Sequence, residues 1–262
     1  MHTEGLGSEA PERLGPYRLD RLLGRGGMGA VWRAWDERLE RWVAVKQVRA
    51  DVTLRHGRER LWREARAVAR LNHPSIVHVY DILEGPDGDW IVMELVLGKT
   101  VRRLLEEEKA FPPERAVRIC REIAEGLAEA HAQGVLHRDL KTSNVIVAPS
   151  GRAKILDFGL AKAIPREDRP DNQDQTLSTP GLIMGTSYAM SPEQALGRAL
   201  DERSDLFSLG SLLYEMLTGQ APFRAEIDAL SLARVVELKV PPLQQSHPAI
   251  PSAVCELVDR LL

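Results

Sequence analysis

The sequence predicts an α+β fold in two lobes, a small antiparallel-sheet lobe with one helix followed by a larger, mainly helical lobe. Three observations predict it. Between residues 17 and 92, short apolar segments alternate with turn signals at Gly26-Gly27 and Gly85-Pro86-Asp87-Gly88, the punctuation of strands and hairpins. After Gly98 the apolar positions recur at helical spacing instead. The length of 262 residues suits one large domain or two small lobes, because single cores stop growing near about 250–300 residues.

Residues 1–16 are rich in Gly, Glu and Pro without apolar periodicity, and are predicted to be a disordered lead-in, with order starting near Tyr17. Strands are predicted for YRLDRLL, AVWRAW, WVAVKQV, IVHVYDIL and WIVMEL. One helix interrupts them over 58–71, where Leu61, Ala65, Val68 and Leu71 share a face and Asn72-His73-Pro74 stops the run. Helix 113–131 carries Ala116, Cys120, Ile123, Leu127 and Ala130 on one face, with Gly134 just past its end. Helix 204–218 is apolar enough to be central and is closed by Gly219 and Pro222, and 227–238 and 252–262 also read as helical. Val145-Ile146-Val147 and 153–156 are strand-like, and the polar segment 163–179 is predicted to be a mobile loop.

Composition excludes several function classes. With 35 basic and 38 acidic side chains, net charge −3, there is no basic footprint for nucleic acid or an anionic membrane. No apolar run approaches the roughly 18–20 residues that cross a bilayer, and the N-terminus lacks a signal-peptide stretch, so a cytoplasmic location is expected. Cys120 and Cys255 have no CxxC spacing and read as buried thiols. Only seven of the basic residues are Lys, which draws attention to a Lys in a special setting.

The first such setting is Val43-Ala44-Val45-Lys46, where an ammonium inside an apolar strand needs an anionic partner to offset its desolvation. Glu64 on the following helix could supply it, or be one more solvated carboxylate. Upstream, residues 24–31 fit G-x-G-x-x-G-x-V, in which missing side chains let backbone N–H groups close over phosphates, although a plain glycine-rich hairpin fits as well. A dinucleotide fingerprint is disfavoured, since no helix opens directly after it. His137-Arg138-Asp139-Leu140-Lys141-Thr142-Ser143-Asn144 is more specific, because four functional types fall at fixed spacing in a loop between a helix and a strand. Thirteen residues after Asn144 comes Asp157-Phe158-Gly159 at a strand end. Asp and Asn oxygens suit Mg²⁺, and Asp139 is left to accept or orient a proton.

Taken together, the glycine loop, VAVK, a helix Glu, HRDLKTSN, DFG and a PE motif resemble, in order and spacing, the eukaryotic-like (Hanks-type) protein kinases, most of all the bacterial Ser/Thr kinases, over residues 17–262. The resemblance implies a small lobe over about 17–93, a hinge over about 94–99 and a helical lobe over about 100–262. It implies transfer of the γ-phosphate of ATP to Ser or Thr hydroxyls of protein substrates. Gly24, Gly26 and Gly29 would cover the ATP phosphates, Lys46 would contact them and pair with Glu64, and Val31 and Ala44 would sandwich adenine. Met93 resembles the gatekeeper, and the backbone of Glu94 to Val96 the adenine-binding hinge. Asn144 and Asp157 resemble the Mg²⁺ ligands, with Mn²⁺ an alternative ion, and Asp139 the catalytic Asp. Lys141, two residues on, is the choice typical of Ser/Thr kinases.

Arg138 before Asp139 is the arrangement of kinases switched by phosphorylation of the activation segment, here 157–193, with Thr176, Ser178 and Thr179 as candidate autophosphorylation sites, and a transient homodimer is the implied partner for that reaction. Two departures stand out. Residues 185–193 read GTSYAMSPE where the family often has GTPAYMSPE, so Tyr188 and Ala189 are exchanged, although Thr186 is kept. The chain also ends within what resembles the start of the last conserved helical region, 257–262, which implies a truncated end. Glu193 of the PE motif would then lose its Arg partner, at an expected cost of about 3–5 kcal/mol. A membrane anchor beyond residue 262 stays open. The rival readings are a pseudokinase or nucleotide-binding scaffold, and a small-molecule kinase.

Overall fold

A computed structural model describes residues 12–26, 29–49, 55–85, 88–158 and 189–262. They divide into two compact units, Met1–Ala69 with His78–Leu95, and Arg70–Val77 with Val96–Leu262.

The first unit is a six-stranded antiparallel sheet with one helix. Its strands are β1 (Arg13–Leu14), β2 (Tyr17–Gly26), β3 (Gly29–Asp36), β4 (Arg41–Arg49), β5 (Val79–Gly85) and β6 (Gly88–Glu94), in the order β1-β2-β3-β4-β6-β5. Side chains alternate between faces. One face packs Leu14, Tyr17, Ala34, Val43, Val45, Trp90 and Val92 into a core. The disordered lead-in expected over 1–16 is therefore too long: residues 13–14 pair with 17–18, and Leu14 is buried beneath the turn at Gly15, whose φ of +55° suits glycine. Helix α1 (Arg55–Val68) ends short of the expected 58–71. Its Arg58 donates from Nε (3.0 Å) and Nη2 (2.7 Å) to Oδ1 of Asp89, a buried carboxylate on β6, and so ties the helix to the sheet.

Glycine serves two purposes in β2 and β3. At Gly29, with φ +145°, an added Cβ would lie 2.0 Å from the Gln47 carbonyl oxygen, whereas at Gly24 it would meet nothing within 4 Å. Gly29→Ala is accordingly expected to destabilise the protein by about 1–3 kcal/mol. Gly24→Ala should leave the melting temperature unchanged or slightly raised. Differential scanning calorimetry of both variants checks the contrast.

The second unit takes Arg70–Val77 from what the sequence assigned to the small lobe. The cause is backbone pairing: Ile155 N–H donates to Ser75 O (2.8 Å) and Val77 N–H to Ile155 O (3.0 Å), while Ile76 is fully buried. The predicted strand IVHVYDIL therefore keeps only its second half. A three-stranded sheet joins β7 (Lys99–Thr100), β8 (Val145–Val147) and β9 (Ala153–Ile155) in that order.

Around it lie α2 (Val101–Glu108), α3 (Pro113–Ala132), α4 (Pro192–Ala195), α5 (Glu202–Thr218), α6 (Asp228–Val236), α7 (Leu243–Ser246) and α8 (Ser252–Leu261). Helix α3 buries the predicted face. Helix α5 is apolar around most of its circumference and is central, capped by Asp201 at its start and by left-handed Gly219 at its end. Cys120 and Cys255 are buried free thiols, and burial pushes Cys120 up to about 12. Among the described residues, no helix is long and apolar enough to cross a membrane.

Among the described residues Glu193 does have a hydrogen-bond donor, a hydroxyl rather than the Arg that the resemblance implies. The Ser204 hydroxyl of α5 donates to Glu193 Oε1. The last residues pack into the unit, Leu261 against Gly210 and Leu262 against the Phe207–Phe223–Val235 cluster.

Candidate active site

The first unit sets out one group of candidate residues by strand register. Gly24 pairs with Val31, Val31 with Lys46 and Lys46 with Ile91, so one row crosses β2, β3, β4 and β6. Two residues along β4, Ala44 pairs with Met93. By alternation, Val31, Ala44, Lys46 and Met93 share the face opposite the Val43–Val45 core. Lys46 is 8% exposed, and Ala44 and Met93 are similarly buried. Glu64 is half-buried on α1, one turn after core residue Leu61. Glu94 ends β6 and its N–H donates to His78 O (2.9 Å); the boundary between the units follows at once, between Leu95 and Val96. Gly26 closes β2 beside Gly29.

The second unit carries the other group. After α3, residues 137–141 form a loop that enters a 3-10 turn, Thr142–Asn144, and then β8. Asp139 Oδ2 receives Lys141 Nζ at 2.9 Å and Asn144 Nδ2 at 3.1 Å, and Asn144 Nδ2 also donates to the Asp139 carbonyl (2.8 Å). Both Asn144 donors thus turn toward Asp139, which leaves Oδ1 as the end that Asp139 does not engage, met by the Ser143 hydroxyl at 3.3 Å. Asp157 follows β9 with φ +57°, a left-handed conformation that Asp tolerates better than most residues.

Three residues that the sequence reading passed over hold this loop. Asp205, 1% exposed in the first turn of α5, accepts His137 N–H (2.8 Å, Oδ2), Arg138 N–H (2.8 Å, Oδ1) and His131 Nε2–H (2.8 Å, Oδ2). Gln194 Nε2 donates to the Arg138 carbonyl at 2.7 Å. A carboxylate set directly before the mostly apolar run that opens at Leu206 was the one signal that could have drawn attention to Asp205.

His137 is fully buried and packs edge-on against Phe158, with centroids 4.8 Å apart. Its Nε2 lies 2.8 Å from the Leu156 carbonyl, which can only accept, and its Nδ1 3.1 Å from the Asp139 N–H, which can only donate. The ring is therefore the neutral Nε2–H tautomer. Burial lowers its affinity for a proton, against the opposing pull of Asp205. The unfolded chain binds that proton near 6.5 and the folded chain does not, so the stability is whole above that value and is lost as pH falls toward the folded pKa. His137→Phe, which keeps a ring beside Phe158, is expected to flatten this decline between about pH 6.5 and 5, a slope of at most about 1.4 kcal/mol per pH unit. Urea unfolding across that range measures the difference from wild type.

Thr176, Ser178, Thr179, Thr186, Tyr188 and the predicted loop 163–179 lie outside the described residues. With the geometry in place, comparison with known proteins is decisive: residues 17–262 match the protein kinase domain. The chain belongs to the protein kinase family.

This kinase domain is 42% identical over 221 residues to a probable serine/threonine-protein kinase, SCO3848, of Streptomyces coelicolor, covering 82% of this chain and 32% of that protein. It is 40% identical over 241 residues to the serine/threonine-protein kinase PknB of Mycolicibacterium smegmatis, covering 90% and 38%. PknB of Mycobacterium tuberculosis is 40% identical over 232 residues, covering 86% and 36%. The kinase domain thus spans about a third of the length of these curated relatives.

Proposed function

We propose that the chain is an ATP-dependent protein serine/threonine kinase. The observation that carries this reading is the Asp139–Lys141–Asn144 cluster, in which two donors fix one carboxylate oxygen. A carboxylate held in this way orients an acceptor hydroxyl and takes its proton, while Lys141 sits close enough to balance charge on a transferred phosphoryl group. Phosphoryl transfer asks mainly for positioning and charge neutralisation, which suits such a pre-set cluster.

In this reading Gly24, Gly26, Gly29 and Lys46, supported by Glu64, bind the phosphates of ATP. Val31, Ala44, Met93 and the backbone of Glu94 to Val96 bind adenine. Open space at the Gly24 Cβ position supports the first role, since no packing of the chain itself demands a glycine there. Asn144 Oδ1 and the Asp157 carboxylate are hard oxygen donors that fit Mg²⁺ or Mn²⁺, which when bound neutralises phosphate charge. Thr176, Ser178 and Thr179 are the proposed autophosphorylation sites, reached in a transient homodimer.

Incubation with γ-labelled ATP and Mg²⁺, followed by phosphoamino-acid analysis, tests the reading. Label on Ser or Thr of protein supports it. Label on Tyr, label only on small molecules, or nucleotide binding with no transfer overturns it.

A further inference from the structure

Arg138 has φ +65°, a left-handed conformation unfavourable for a residue with a side chain, which persists only when its surroundings hold it. Two side chains from distant elements hold that one residue's backbone. Asp205 accepts its N–H, and Gln194, 56 residues away in sequence, donates to its carbonyl at 2.7 Å.

Gln194 has a second task. It is the third residue of α4, and its Oε1 accepts the Ser191 N–H (2.9 Å) while its own N–H reaches the Ser191 hydroxyl (3.4 Å), a complete capping box. A capping box needs only an acceptor at this position, and Glu supplies one as well as Gln. The bond to Arg138 needs a donor, which only the amide supplies. The two ends of one side chain are thus committed to different partners, and the second partner explains why the residue is an amide.

We propose that Gln194 is a positioning residue for Asp139: by clamping the Arg138 carbonyl from α4, while Asp205 clamps the N–H from α5, it fixes the peptide that leads into the candidate catalytic carboxylate. The proposal rests on the kinase reading of Asp139. It makes the geometry of the 137–141 loop depend on the seating of α4, the helix that opens with the Pro192-Glu193 motif.

Gln194→Glu separates the two tasks, because it keeps the acceptor for Ser191 and sets an oxygen against the Arg138 carbonyl when ionised, at about pH 8. Gln194→Ala loses both. A residue that only caps α4 makes Glu silent and Ala damaging. Positioning reverses that order: Gln194→Glu is expected to keep the melting temperature, to lower kcat about ten-fold or more with KM for ATP within about two-fold, and to match or exceed the kcat loss of Gln194→Ala. Should the carboxylate prevent folding, the comparison of Gln194→Ala with Ser191→Ala takes its place, since Ser191→Ala removes the cap hydroxyl but leaves the Gln194 amide on the Arg138 carbonyl, and only Gln194→Ala should then lower kcat.

Amide hydrogen exchange needs no turnover and is read in parallel. Exchange over 136–141 is expected to speed up in Gln194→Glu while α4 keeps wild-type protection. Wild-type kcat or wild-type exchange over 136–141 in that variant overturns the proposal. If wild type transfers no phosphate, the kinase reading fails, and exchange over 136–141 by itself decides whether the clamp exists.

Discussion

Asp139→Asn is expected to lower kcat by about 10³-fold, within the range that general acid–base groups contribute, while KM for ATP stays within a few-fold. The substitution conserves shape but not donor and acceptor identity. Asp139 Oδ2 now takes Lys141 Nζ and Asn144 Nδ2 together. An amide offers those two donors only its carbonyl oxygen, and its NH₂ group must then face where the acceptor hydroxyl would be oriented, unable to receive a proton. Nucleotide affinity has no reason to follow, because the residues proposed to bind ATP phosphates and, apart from Val96, those proposed to bind adenine lie in the other unit. Lys46→Met gives the contrasting signature, a loss that includes weaker ATP binding. Steady-state kinetics with γ-labelled ATP, alongside nucleotide titration by calorimetry, checks both. An Asp139→Asn enzyme within ten-fold of wild type would remove the carboxylate from the chemistry.

The elements that local pattern can specify were legible. Strands β2, β3, β4 and β6 are short apolar segments, with glycines marking the β2–β3 and β5–β6 turns, and α3 and α5 carry apolar faces together with stop signals at Gly134 and Gly219. Legibility failed where a segment's fate depends on a distant partner. Leu14 is one apolar residue in a polar, proline-flanked stretch, and only pairing across the Gly15 turn makes it core. Ile76 and Val77 look like the start of β5 but are captured by Ile155, almost eighty residues later in the chain. Helix α2 is mostly charged and is set by the Thr100 cap, whose hydroxyl accepts the Arg103 N–H, and by the two buried residues Val101 and Leu105.

The candidate site divides in the same way. Asp139, Lys141 and Asn144 lie within six consecutive residues, so their cluster is a local fact that spacing reveals. Asp205, His131 and Gln194 act on that loop from elsewhere. His131 is the penultimate α3 residue, Asp205 an ordinary acidic residue of a helix's first turn, and Gln194 a standard capping-box amide. Each has a sufficient local reason to be what it is, which hides the long-range one. Glu193 is a further case: Ser204, eleven residues away on α5, donates to it, a hydrogen bond that neither the family pattern nor the local sequence announces.

Asp205→Ala is expected to cost about 3–5 kcal/mol, the range found when one side of a buried polar network is deleted. The argument is one of donors left behind. Asp205 is 1% exposed and receives three N–H groups, two of them backbone amides of the 137–141 loop. A buried donor without an acceptor costs about 1–3 kcal/mol, and the His137 amide belongs to a residue with no exposure at all. The third donor belongs to the His131 side chain, which is 11% exposed. Arg138 adds a further contribution, since its φ of +65° is held through the amide that Asp205 accepts. Against a total stability of about 5–15 kcal/mol, the loss amounts to a fall in melting temperature of about 10 °C. Asp205→Asn should fall between the two proteins, because its carbonyl still accepts from the loop while its NH₂ meets another donor. Calorimetry orders the three proteins. Kinetics measured well below the lowest melting temperature then separates folding from function: with the 137–138 amides released, Asp139 loses its fixed orientation, and kcat should fall in Asp205→Ala even where the protein is fully folded. A melting temperature within about 2 °C of wild type would mean that the loop holds itself.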